Sequence, residues 1–464
     1  MKGVLNILLV ALTLAITSCS GVKNLTKPQL ELPEQIGGTE WLDTLTIADI
    51  GWWEFYGDEN LKNIIERVLS ENKRLLMAAE RVEQARYLYN VEKANLLPEL
   101  SFRLPWNHET NHYFKELDLI DPEIGVKATI SWEADLFGSL RWNKKKAMSQ
   151  YRGSEDEERA MRMVLVAEAA SAYFRLVALD NELEIVKSTM ETREEGVRLA
   201  KLRFDGGLTS ETVYQQAQVQ YATAAALIPN LEYNIKLTEN QLSLLMGTLP
   251  DEEIKRSKEL EENTFASDMA LGLPSTLLER RPDIKAYEER LQAAVANVGY
   301  TYAKRFPSLN FELTGGVEDN DFKNLFRSPF SYVAGNFVAP LVDFGKRKNR
   351  YKAAIAAYNE SRLAYENKVL EAFNEVDNAL TRYNTARMAV AKDSELLVAA
   401  YKYQDLTWKQ YRGGTINYID VLDAQRRYLE ARISRMNAIR DEHLALVELY
   451  KALGGGWQLE RDPE

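Results

Sequence analysis

The chain repeats itself. Phe204-Asp-Gly206-Gly207 recurs as Tyr411-Arg-Gly413-Gly414, and at the same offset Ala217-Gln218 falls on Ala424-Gln425, Tyr221 on Tyr428 and Gly247 on Gly454. Upstream, at a slightly different offset, Arg81 pairs with Arg290, Ala85 with Ala294, Ala94 with Ala303 and Pro98 with Pro307. Between these stretches Asp135-Leu-Phe-Gly138 returns as Asp343-Phe-Gly345, each followed by a basic run, Arg141 to Lys144 and Lys346 to Arg350. Motifs that recur in the same order are the mark of a duplication. The chain therefore carries a duplicated structural unit, although length alone would allow two or three unrelated domains.

Within each unit the pattern alternates between helix and strand. Trp142 to Phe204 contains no proline and only two glycines, and Lys346 to Tyr411 contains neither, so each stretch permits a helix of roughly 90 Å at about 1.5 Å per residue. Gly206-Gly207 and Gly413-Gly414 break these stretches. Helical sequence then returns through Met246 and Leu453, which makes each glycine pair the tip of a long antiparallel hairpin. Pro229 is expected to kink the first returning helix, whereas its counterpart Met436 is not.

Between the prolines and the Asp-Phe-Gly motifs the period changes to two. Leu100, Phe102 and Leu104 alternate with Ser101 and Arg103; Val126, Ala128, Ile130 and Trp132 alternate with Lys127, Thr129, Ser131 and Glu133. The second unit offers Leu309, Phe311 and Leu313 against Asn310, Glu312 and Thr314, then a weaker strand around Phe330 to Leu341. Four strands with one apolar and one charged face fit either a half-exposed soluble sheet or a membrane barrel with a wet lumen. An open sheet edge is untenable in lipid, so a barrel reading requires oligomerisation: two copies give eight strands and three give twelve.

Composition excludes several classes. With 69 acidic and 58 basic residues the net charge is −11, against nucleic-acid binding through a broad basic face. No run of about 20 apolar residues occurs, so the chain is not a polytopic helical membrane protein. One cysteine and three histidines leave little for disulfides or zinc. The cysteine follows Lys2, an apolar Val4 to Ile16 and the small residues Thr17-Ser18, which resembles a bacterial lipobox with cleavage before Cys19 and acylation of its thiol; the alternative is a plain signal peptide. Multiple acyl chains at about 0.8 kcal/mol per buried methylene would hold the protein on a membrane.

These residues resemble the TolC-like family of outer-membrane efflux proteins, in its lipidated branch serving tripartite multidrug and metal pumps. The resemblance rests on the duplication together with Arg281-Pro-Asp-Ile284, Phe306-Pro307, Trp132-Glu-Ala-Asp-Leu-Phe-Gly138, and Tyr411-Arg-Gly-Gly-Thr415 leading into Asp420-Val-Leu-Asp-Ala-Gln425. It implies a mainly α fold with β: long antiparallel helical hairpins forming a periplasmic α-barrel, plus four strands per chain of a homotrimeric 12-stranded transmembrane β-barrel. It divides the chain into a signal peptide (1–18), a lipid-anchored and equatorial segment (19–60), a first repeat (61–270), a second (271–454) and an equatorial tail (455–464). A mixed equatorial belt is expected from Gln35 to Glu66, the tail and inserts within the long helices, with Trp52, Trp53 and Tyr56 as core anchors. The location implied is the outer membrane of a Gram-negative bacterium, reaching into the periplasm. The function implied is a passive exit duct for small molecules such as drugs, partnered by a periplasmic adaptor and an inner-membrane pump of RND type, with no cofactor beyond the lipid on Cys19.

By motif position the resemblance assigns Asp420 and Asp423 to rings that constrict the periplasmic mouth, and Tyr411 to holding it closed. In a trimer six carboxylates would favour cations and raise one another's pKa; the alternative is a simple complement to a helix N-terminus. Ile416 stands where some relatives place a closing arginine, so a different lock is expected, and Val213 and Gln216 occupy the matching positions of the first unit. Phe204, Gly206, Gly207, Leu208, Gly413, Gly414 and Thr415 are the expected adaptor-contacting tips. No catalytic arrangement stands out. His108 and His112 fall in the expected first inter-strand loop, where a spacing of four carries no metal-site meaning. Scattered methionines, with only Met161 and Met163 close together, speak against a dedicated copper or silver duct. The competing class is a lipid-anchored periplasmic coiled-coil scaffold or adaptor.

Overall fold

A computed structural model describes residues 47–111, 119–250, 252–262, 277–339 and 341–458, with short pieces at 25, 28, 35–36, 39–42, 265 and 273–274. The expected signal peptide, Cys19, His112 and the tail beyond 458 lie outside the described residues. In chain order the main elements are α1 (Glu59–Glu71), α2 (Lys73–Ala94), β1 (Glu99–Arg103), β2 (Trp106–Asn111), β3 (Leu119–Ala134), α3 (Ser139–Asp205), α4 (Glu211–Ala225) and α5 (Ile228–Leu245). The second half follows with α6 (Pro282–Ala303), β4 (Ser308–Asp319), β5 (Pro329–Val338), α7 (Lys346–Arg412) and α8 (Tyr418–Ala452). Compact packing does not follow the repeats: one unit is built mainly from residues 80–155 and 285–368, the other from the described parts of 31–79, 156–284 and 369–464.

The first unit holds an antiparallel sheet. β3 lies between β4 on one side and β1 with β2 on the other, and β5 closes the order beyond β4. β1 and β2 are one strand interrupted at Leu104-Pro105. The register runs unbroken from Arg103↔Lys127 to Trp106↔Ile124, because Pro105 lacks an N–H but its carbonyl still accepts from Gly125 at 3.0 Å. Four strand positions therefore stand as expected, with two corrections at their ends. His108 lies within β2, opposite Pro122, and not in a loop, because pairing continues to Asn111↔Leu119. β5 ends at Val338, two residues before Pro340, and Leu341 is outside it.

Register sorts the two faces chemically. Leu100 pairs with Ile130, Ile130 with Leu313 and Leu313 with Val333; one register step away Trp132 pairs with Phe311, their rings stacked at 6.1 Å. Directly paired residues share a face, so the large side chains Leu100, Ile130, Trp132, Phe311, Leu313 and Val333 line one face, where they are exposed, with Ser331 and Asp319 as its polar members in β5 and at the end of β4. The other face is polar and internally bonded: Thr129 to Thr314 at 2.9 Å, the Tyr332 hydroxyl donating to Glu312 at 3.1 Å, and Lys127 to Glu318 at 2.7 Å. Gly316 sits at a close approach where a Cβ would meet the Val126 carbonyl oxygen at 2.1 Å.

Each Asp-Phe-Gly motif starts a long helix where a strand leaves the sheet. Asp135 accepts from the N–H groups of Leu140 (3.0 Å) and Arg141 (2.9 Å); Asp343 accepts from those of Gly345 (3.0 Å) and Arg347 (3.1 Å). These bonds satisfy first-turn donors that have no intrahelical partner. α3 and α7 then run for 67 residues each without interruption. The equatorial inserts expected within them are instead in the inter-repeat segment, where residues 252–262 bond back to α3: Arg256 pairs with Asp180, and Leu260 donates its N–H to the Asn181 side chain at 2.9 Å. Pro229 breaks the first returning helix into α4 and α5, while α8 runs 35 residues unbroken past Met436.

The second unit has its core at mid-helix. Phe55 stacks on Tyr450 at 4.1 Å, and the Tyr450 hydroxyl donates to the Ile50 carbonyl at 2.7 Å. Trp52 and Tyr56 are buried as expected, whereas Trp53 is half-buried and packs edge-on against Trp52. The lone His443 is a core residue whose Nδ1 lies 2.9 Å from the Ile439 carbonyl oxygen. Arg281 of the Arg-Pro-Asp motif is almost fully buried, bonded to Asp283 (2.7 Å), Glu375 (2.5 Å) and the Ala452 carbonyl (3.1 Å).

Candidate functional site

The two hairpin tips end their ascending helices with the same hydrogen bonds. Gly207 donates to the Phe204 carbonyl (2.9 Å) and Leu208 to that of Arg203 (2.8 Å); Gly414 donates to Tyr411 (3.0 Å) and Thr415 to Gln410 (3.1 Å). This is the paired bonding of a left-handed helix cap. Gly207 has φ +69° and Gly414 φ +75°, and a Cβ at either would meet nothing within 4 Å. Glycine is required there by backbone conformation rather than by space. Thr415 adds a side-chain bond to the Gln410 carbonyl at 3.0 Å.

A small core ties the tips together. Ala200, Ala217, Tyr418, Val421 and Leu422 are buried, with Tyr411, Trp408 and Ile416 partly buried against them. Tyr411 lies 5.1 Å from Tyr418 and 5.9 Å from Trp408 by ring centroids, and the Arg203 guanidinium sits over its ring at 4.6 Å. Phe204 stacks on Tyr214 at 6.4 Å, while Leu208 is exposed. Burial pushes the Tyr418 phenol up to about 12, with a smaller contribution from Tyr411. Ile416 is thus a packing residue, and the cation facing Tyr411 comes from Arg203 on the other hairpin.

Asp420 and Asp423 differ in situation. Asp420 closes a capping box at the start of α8: its carboxylate accepts from the Asn417 N–H at 3.2 Å, and the Asn417 side chain accepts from the Asp420 N–H. Asp423 accepts from Arg427 Nε and Arg426 Nη2, both at 2.8 Å. Within one chain, Arg427 first and Arg426 second hold its carboxyl below the usual aspartate range. Arg426 and Arg427 were missed among the site residues, although a spacing of three and four from Asp423 on a helix signals such pairs. Asp423 also lines a groove of about 390 Å³ between α4 and α8, as does its repeat counterpart Gln216. Among the described residues no cluster of His, Cys, Asp or Glu could hold a metal ion.

Residues 64–248 and 273–455 match the outer membrane efflux protein family. The toluene efflux pump outer membrane protein TtgF of Pseudomonas putida is 28% identical over 475 aligned residues, covering 97% of this chain and 96% of its own. The pyoverdine export outer membrane protein OpmQ of the same species is 29% identical, covering 89% of this chain and 90% of its own. Among solved structures, a membrane protein from Pseudomonas aeruginosa aligns with a TM-score of 0.87 at 27% identity, over 94% of this chain and all of that one. The chain belongs to the outer membrane efflux protein family and serves as the outer-membrane exit duct of a tripartite efflux system.

Proposed function

We propose that three copies close their sheets into one 12-stranded barrel and conduct small molecules passively, through a mouth gated by the hairpin tips. The observation that carries this is the sheet register. It gathers large apolar side chains (Leu100, Ile130, Trp132, Phe311, Leu313 and Val333) on one face and the bonded polar ones on the other, and among the described residues it leaves both outer strands with an unpaired edge. Lipid tolerates the apolar face but not the edges, so neighbouring copies must cover them. A choice of three copies over two follows the family.

The gate reading gives Asp420, Asp423 and Tyr411 the mouth, and gives Phe204, Leu208, Thr415 and the glycine pairs the contact with a periplasmic adaptor. An inner-membrane pump of RND type would supply the energy. Adaptor contact would bias opening only through contacts that differ between closed and open tips. The relatives are named for toluene efflux and pyoverdine export, which supports small, chemically varied cargo. An acylated Cys19 would add a lipid anchor.

The test separates an integral barrel from an anchored scaffold. Membranes carrying Cys19→Ala, which cannot be acylated there, are washed with alkaline carbonate. Retention in the membrane pellet is the expected result, and release into the supernatant would favour the scaffold.

A further inference from the structure

The basic runs after the two Asp-Phe-Gly motifs are not among the gate residues and lie at the starts of α3 and α7, outside the paired strands. Residues 139–152 carry Arg141, Lys144, Lys145, Lys146 and Arg152 without one acid, and residues 344–352 carry Lys346, Arg347, Lys348, Arg350 and Lys352, again without one, in a chain of net charge −11. Both runs leave the same end of the sheet, since Ala134 pairs with Leu309 and Val338 with Ser308. Lys346, Lys348 and Arg350 are exposed and, among the described residues, make no ion pair; Lys145 rests on the Trp142 ring at 4.7 Å. Arg141 and Arg347 pair with Asp135 and Asp343 at the helix starts, but Lys346 and Lys348 lie in the first turn of α7, where a cation is of the wrong sign for the helix dipole, so helix stability does not account for them. Immediately before the second run Leu341 and Phe344 are 92% and 99% exposed. Phe344 holds φ +49°, an uncommon conformation for a residue other than glycine.

We infer that these two runs form a docking surface for anionic phospholipid headgroups at the periplasmic edge of the barrel. The inference rests on the sheet being membrane-embedded. Its apolar face would then end in exposed Leu341 and Phe344 at the acyl boundary. The lysines and arginines that follow would reach the phosphates as long aliphatic stems with charged heads do. Each chain supplies two such runs, so an oligomer would carry a belt of cations continuous with the lipid-facing surface.

The test uses the full-length protein purified in detergent and offered dioleoylphosphatidylglycerol, dioleoylphosphatidylethanolamine or inorganic phosphate, with retained molecules counted by native mass spectrometry. Wild type is expected to retain several-fold more of the anionic lipid than of the zwitterionic one, and to lose that preference in high salt. The Lys144→Ala, Lys346→Ala, Lys348→Ala, Arg350→Ala variant should lose most of it, while Lys392→Ala with Lys402→Ala should not. Equal retention of the two lipids by wild type would overturn the inference without requiring any variant to fold. So would a quadruple variant with unchanged lipid retention but altered ion selectivity, which would put the cations in the lumen, or free phosphate displacing the lipid at equal concentration. A protein that conducts but shows no lipid preference would sink this inference and leave the duct intact.

Discussion

The Arg203 guanidinium lies over the Tyr411 ring at 4.6 Å, and this contact joins the tip of the first hairpin to the tip of the second. A cation over an aromatic ring contributes about 0.5–1 kcal/mol at an exposed site, which is roughly two- to five-fold in an equilibrium. If the closed mouth depends on it, Arg203→Ala should raise the open fraction of single channels by about that factor. Arg203→Lys should have a smaller effect, since the planar guanidinium stacks better than an ammonium. An unchanged open fraction in both variants would remove Arg203 from the closure.

If Asp423 lies at the gated mouth as proposed, it contributes to the acid response there. Its folded pKa is depressed by Arg427 and then Arg426, so the stabilisation it brings is present above the unfolded value of about 3.9 and is lost as pH falls through the lower folded value. Channel conductance should therefore stay flat between pH 7 and pH 5 as far as Asp423 is concerned. Arg426→Ala with Arg427→Ala should move the acid inflection upward. An inflection above pH 5 in wild type would mean that carboxylates of neighbouring copies outweigh the arginines.

At Gly207 and Gly414 the backbone is left-handed and the space is open. Gly207→Ala or Gly414→Ala should cost about 1 kcal/mol in local tip stability and leave the rest of the chain unaffected. Hydrogen exchange reads this directly: amides around the substituted tip should exchange about five-fold faster, and those of the mid-helix core should not change.

Arg281 shows how a motif found by sequence acquires its physical role only in three dimensions. Its neighbours Pro282 and Asp283 are adjacent in sequence, but Glu375 comes from the middle of α7 and the Ala452 carbonyl from the end of α8. Removing one partner of a buried ion pair costs about 3–5 kcal/mol; Glu375 is half exposed, so the low end applies. Arg281→Ala should destabilise the protein by about 3 kcal/mol, measured by urea denaturation, and Glu375→Gln by less.

The duplication, both 67-residue helices, the glycine tips and the break at Pro229 were legible because each is written in local sequence: proline and glycine spacing, period two and offset matches. The apolar and polar faces of the sheet were legible for the same reason. His108 was misplaced because Trp106 to Asn111 shows no period-two apolar pattern, so the continuation of pairing to Asn111↔Leu119 is not written in the sequence. The equatorial inserts were misplaced because only tertiary contacts such as Arg256 with Asp180 show which segment straps the core. Arg203 over Tyr411 could not be read at all, since it depends on how two hairpins distant in sequence meet. The arginine partners of Asp423, three and four residues on, were readable from helical spacing but were not picked out, and within one chain they hold its carboxyl low.

The most direct test of the duct is single-channel conductance of the purified oligomer in a planar bilayer, comparing wild type with the Asp420→Ala, Asp423→Ala double variant. The account predicts a small, cation-selective wild-type conductance that rises several-fold in the variant and becomes less cation-selective, because Arg427 loses its carboxylate partner and Arg426 keeps only Glu430. No conductance from either protein, with folded oligomers intact, would contradict it.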